Sequence, residues 1–170
     1  MTRWAAWVLG GVISFGIALA VSGVGGCNVH ELGHLVSGWA AGVPFEGVIW
    51  CTPGSGRVLF AYQEPPFVGY SGGFLAALVL LALHLTVIRR RMASFPWWMA
   101  GVAVVGTALS QVVVGVLEGS DPQRYAGLQG NSAGLMAVVV GPLLVAAVIQ
   151  LMVRRPAGPV RKLSEPTRSG

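Results

Sequence analysis

Residues 4–42 carry a single Asp, Glu, Lys or Arg, Glu31, over about twice the ~20 residues that one helical membrane crossing needs. Backbone in hydrocarbon must satisfy its own hydrogen bonds, so an apolar run of this length can only be helical inside a bilayer. Three further apolar runs follow, at about 68–88, 96–117 and 133–153. Only 10% of the 170 residues are charged, against about a quarter in soluble domains. These features predict an all-α polytopic membrane protein with four to five transmembrane helices. The uncertainty in number comes from Ser22-Gly23-Val24-Gly25-Gly26, which interrupts the first run in its middle. That run is either one long kinked helix or two helices.

Between the first two runs the helical period disappears. Gly47-Val48-Ile49-Trp50 and Arg57-Val58-Leu59-Phe60-Ala61-Tyr62 flank Cys51-Thr52-Pro53-Gly54-Ser55-Gly56, a strand–turn–strand pattern that predicts a β-hairpin. Trp97 and Trp98 sit where interfacial anchors belong, and Gly141-Pro142 should kink the last helix. Residues 1–153 therefore read as one membrane-embedded domain, and 154–170 as a basic, disordered cytoplasmic tail.

The net charge of +5 does not point to nucleic acid. Arg89, Arg90 and Arg91 form one basic cluster, and Arg154, Arg155, Arg161, Lys162 and Arg168 another; each follows an apolar run. Positive charge in such places marks the cytoplasmic side. The hairpin and the polar connection 118–131 then share the opposite face. The two cysteines, Cys27 and Cys51, make no disulfide framework. Cys27, one helical turn before His30, is expected as a small buried residue.

His30-Glu31-Leu32-Gly33-His34 carries the chemistry. Residues four apart on a helix share a face, so His30 and His34 can bind one metal, with Glu31 beside them as a general base. Three ionisable side chains within five apolar-embedded residues are costly and imply a shared partner. A catalytic zinc takes three protein ligands and keeps one position for water. Glu118 and Asp121, at the end of an apolar run, are the acidic candidates for the third, and composition leaves them near parity. Asp121-Pro122 is also a common helix start, with Asp as N-cap. Glu46 and Glu64 read as solvated loop residues, and His84 as a packed histidine. Gln111 and Asn28 are polar groups in or beside apolar segments that could bond a ligand or another helix.

The ordered set HELGH at 30–34, the hairpin with Gly54-Ser55-Gly56, Val68-Gly69-Tyr70-Ser71-Gly72-Gly73 and Gly119-Ser120-Asp121-Pro122 resembles the site-2 protease family of intramembrane zinc metalloproteases, in particular its small bacterial members. The resemblance covers most of the chain from Cys27 to about Val153. It implies a zinc endopeptidase of a bacterial cell membrane that cleaves in or next to transmembrane segments of membrane proteins, with Zn2+ as cofactor. Carried over by position, His30, His34 and Asp121 would be the metal ligands and Glu31 the base. The alternative is a non-catalytic membrane metal-binding or scaffold protein that retains the fold. The implied partners are a transmembrane protein substrate and the lipid bilayer, with no nucleic acid.

Overall fold

Four helices in the structure, a computed structural model, are long and apolar enough to cross a membrane, and a two-stranded antiparallel sheet accompanies them. The structure describes residues 2–51, 56–129 and 131–153. The centre of the expected hairpin turn, 52–55, and the tail 154–170 lie outside the described residues.

The first apolar run is one uninterrupted helix, α1 (Arg3–Ala40). The Ser22–Gly26 stretch does not divide it. Glycine in a helix interior costs about 1 kcal/mol against alanine, but tertiary contacts hold this segment. The Ser22 and Thr107 hydroxyls lie 3.0 Å apart, and Gly26 faces Leu80, Thr107 and Gln111. At the other end, Gly42 adopts a left-handed φ of 72°, and the Val43 N–H donates to the Gly38 carbonyl at 2.9 Å. This ends the helix and turns the chain into the hairpin.

Strands β1 (Phe45–Ile49) and β2 (Arg57–Phe60) pair with Val48 opposite Val58 and Gly47 opposite Leu59, after an irregularity between Phe45 and Gly47. Helix α2 (Pro66–Leu83) starts on a proline, which forfeits no helical hydrogen bond in the first turn. It runs on through a π-helical turn, His84–Ile88, into a 3-10 turn made of the three arginines, Arg89–Arg91. Helices α3 (Phe95–Ser120), α4 (Pro122–Gln129) and α5 (Ser132–Val153) complete the chain, with Pro142 inside α5.

Pairs of contacts fix the helix directions. Gly11 meets Phe95 while His30 meets Glu118, so α1 and α3 run parallel. Gly73 meets Gly115 and Gly69 meets Gly119, so α2 runs against α3. Ser110 bonds the Val138 carbonyl and His84 contacts Gln150, so α5 also runs against α3. Helix α3 is therefore the central post, buried from Ala100 through Ala108. Two small cores lie along it, one of Ala77, Leu80, Ile88, Val104 and Ala108, the other of Val102, Val105 and Ala146. Large apolar side chains on α1 and α5 point outward, as a lipid-facing surface requires. The hairpin and α4 gather at one end of the bundle, and the three arginines lie at the other.

Candidate metal centre

The HELGH turn is the most buried part of α1: His30, Glu31, Gly33 and His34 are all buried. Two neighbours press against it. A Cβ on Gly33 would stand 2.7 Å from the Gly72 Cα, so α1 and α2 touch backbone to backbone. Ser37 and Ser71 pin the contact: their hydroxyls are 2.6 Å apart and both lie within hydrogen-bond reach of the Gly33 carbonyl, so one donates to it and the other can donate across the pair. On the other side, α3 delivers Glu118.

The donor atoms converge. His30 Nε2 and His34 Nε2 are 2.9 Å apart, and Glu118 Oε2 lies 2.7 Å from the first and 3.4 Å from the second. The far nitrogens are already engaged. His34 Nδ1 is 2.8 Å from the Val68 carbonyl oxygen, which can only accept, so Nδ1 carries the proton. His30 Nδ1 likewise donates to Gln111 Oε1 at 2.8 Å. With both Nδ1 atoms donating, the neutral rings present lone pairs at Nε2, and the carboxylate adds a third acceptor. Three acceptors this close repel one another, and either a proton on one Nε2 or a metal ion among them would relieve it. Tying Nδ1 to an acceptor is also how proteins orient metal-binding histidines.

The site passes a further test of fit. A Cβ on Gly72 would lie 2.6 Å from His34 Nε2 and 2.8 Å from His30 Nε2, so the missing side chain leaves the space into which both nitrogens point. Two imidazoles and one carboxylate suit zinc, with bonds of ~2.0–2.2 Å. At that bond length tetrahedral ligand atoms stand about 3.4 Å apart, so the two shorter separations open slightly around an ion.

Glu31 is not one of the three. Its carboxylate turns toward the hairpin, where Gly56 packs on it and the Val58 backbone N–H faces it as a hydrogen-bond donor. An open cavity of about 270 Å3 joins it to His34 and Glu118, lined also by Glu64, Val58 and Tyr125 among others. Cys27, expected as a small buried residue, instead forms a disulfide with Cys51 that ties the end of the hairpin strand β1 to α1, although two cysteines read as no disulfide framework. The Cys51 N–H also donates to Asn28 Oδ1 at 2.8 Å. The covering of Glu31 is thus fastened at two points.

Asp121, the residue carried over by position as third ligand, is placed elsewhere. It is the exposed junction between α3 and α4, where its N–H donates to the Leu117 carbonyl and its own carbonyl accepts from the Tyr125 N–H. The group that gathers with His30 and His34 contains Glu118 instead. The roles of Gln111 and the Val68 carbonyl were not specified by the motif, although Gln111 stood out as an amide within an apolar run. Glu64, expected in solvent, is half-buried on the cavity wall. Burial raises its carboxyl above the ordinary value, with His34 opposing the shift and Glu118 adding to it. His84 is buried at the far end of the bundle against Gln150.

No protein-family model, curated protein or solved structure matches this chain.

Proposed function

We propose that this chain is an intramembrane zinc endopeptidase that hydrolyses peptide bonds in or next to transmembrane segments of other membrane proteins. The carrying observation is the convergence of His30 Nε2, His34 Nε2 and Glu118 Oε2 with both Nδ1 atoms tied to acceptors. In this reading the ligands are His30, His34 and Glu118. When bound, the zinc would acidify a water and polarise the scissile carbonyl.

The protein's own residues supply the rest. Glu31 opens on the same cavity as the ligands without joining them, the position required of a base that takes a proton from the attacking water and returns it to the leaving amine. A non-catalytic metal site or scaffold has no use for that separate carboxylate, which favours the enzyme. The free edge of β2, whose Val58 N–H points at Glu31, offers hydrogen bonds to a substrate strand. A transmembrane substrate must unwind before attack, because its amides are otherwise bonded to one another. The metal ligands lie near the hairpin end: Gly72, which faces both histidines, is six residues into α2 or about 9 Å along it. Water therefore has a short path to the site. The reading also holds the chain in a bacterial cell membrane, with Arg89–Arg91 cytoplasmic and the hairpin on the other face, where a disulfide is stable.

The test is zinc per chain in detergent-purified protein. About one zinc is expected in wild type, in Glu31→Gln and in Asp121→Ala, with loss in His34→Ala and Glu118→Ala. Folded wild-type protein without metal under zinc-replete conditions would overturn the reading. Retention of zinc by Glu118→Ala with loss from Asp121→Ala would return the third position to Asp121.

A further inference from the structure

Of the acidic and basic side chains on the cavity wall, all but one have a visible task or face solvent. His34 and Glu118 face the metal position, Glu31 faces the Val58 amide, and Arg57 is exposed at the rim. Glu64 stands apart. Its Oε2 is buried and, among the described residues, has no hydrogen-bond partner, although the side chain lines the same cavity. Among the described residues the ion pairs join only His30 and His34 to Glu118, so Arg57 does not neutralise it. It is not part of the ligand trio either, and a fourth protein ligand would close a catalytic zinc to water.

Charge balance sharpens the point. A dication would offset the two carboxylates Glu118 and Glu31, and Glu64 adds a further carboxylate that the exposed Arg57 does not pair with. A half-desolvated carboxylate is poorly screened and gains most from a cation brought beside it. We propose that Glu64 is an anionic subsite that selects substrates bearing an ammonium or guanidinium group close to the scissile bond. This deepens the peptidase reading and rests on it. The cation has two possible sources, a Lys or Arg side chain flanking a membrane segment, or the free amine of a chain end.

Three zinc-chelating probes separate these sources: the hydroxamates of N-acetyl-norleucine, of N-acetyl-lysine and of norleucine with a free amine. Their dissociation constants are measured on zinc-loaded full-length wild type and on Glu64→Gln. Wild type is expected to bind at least one cationic probe about tenfold or more tightly than the neutral one, as hydrogen bonds to charged groups typically give. Glu64→Gln is expected to bring the ratio within about twofold. A preference for the lysine probe assigns the side-chain source, and one for the free-amine probe assigns the chain end. Equal affinities in wild type, or a preference that survives Glu64→Gln, overturns the assignment. Should Glu64→Gln lose its zinc, Glu64→Ala replaces it, and equal wild-type affinities still overturn the assignment unaided. If no hydroxamate binds zinc-loaded wild type, the peptidase reading itself fails and this inference falls with it.

Discussion

The two motif histidines owe their orientation to residues far from them in sequence. Gln111 is 81 positions from His30, and Val68 is 34 from His34, yet each fixes the ring nitrogen that leaves Nε2 free. Replacing Gln111 by Leu should keep the fold and lower zinc affinity about 10- to 100-fold, the usual cost of losing such an orienting group. Competition against a chromophoric chelator measures this, and unchanged affinity would reduce Gln111 to a packing residue. The choice between Glu118 and Asp121 shows where sequence reasoning ran out. They are three residues apart, so on a continuing helix both would project from much the same side. The helix stops at Ser120, which leaves Glu118 in the bundle and puts Asp121 in the junction. Helix ends are uncertain by one or two residues from sequence, and here that margin separates the two acids.

At the scale of elements, the apolar runs and the strand–turn–strand pattern were legible because length and hydropathy alone decide them. The continuity of α1 was not, since Ser22 and Gly26 are held by α2 and α3 rather than by local preference. Nor was the disulfide, whose cysteines are 24 residues apart and meet only because the hairpin folds back on α1. That placement gives β2 a specific burden. Val58→Pro removes the N–H aimed at Glu31 and blocks the strand edge, so cleavage should fall at least about tenfold while zinc content stays near wild type. Full cleavage by this variant would show that neither the amide nor the edge contributes.

For the whole molecule, the dimension that matters is the length of α1. Its 38 residues rise about 57 Å, against a hydrocarbon core of about 30 Å. The other three candidate spans have 22 to 26 residues and fit far more closely. A helix too long for its bilayer tilts. Here that helix carries two of the proposed ligands, and α3 carries the third. The close glycine contacts Gly33–Gly72, Gly69–Gly119 and Gly73–Gly115 leave little slack to absorb such a tilt. Activity reconstituted in phosphatidylcholines of increasing acyl length should therefore pass through a maximum rather than stay level. A flat profile from 14 to about 22 carbons would show that the bundle tilts as one body.

The Cys27–Cys51 bridge bears on how the protein can be handled at the bench. Dithiothreitol and related reductants, added by habit to protect thiols, would here cut the fastening that holds the hairpin over Glu31. The same reagents bind zinc through their sulfurs. On the proposed zinc reading, a preparation carried through such buffers would lose cover and metal together and pass for an inert protein. Extraction without thiols, from cells that export the hairpin to an oxidising space, keeps both.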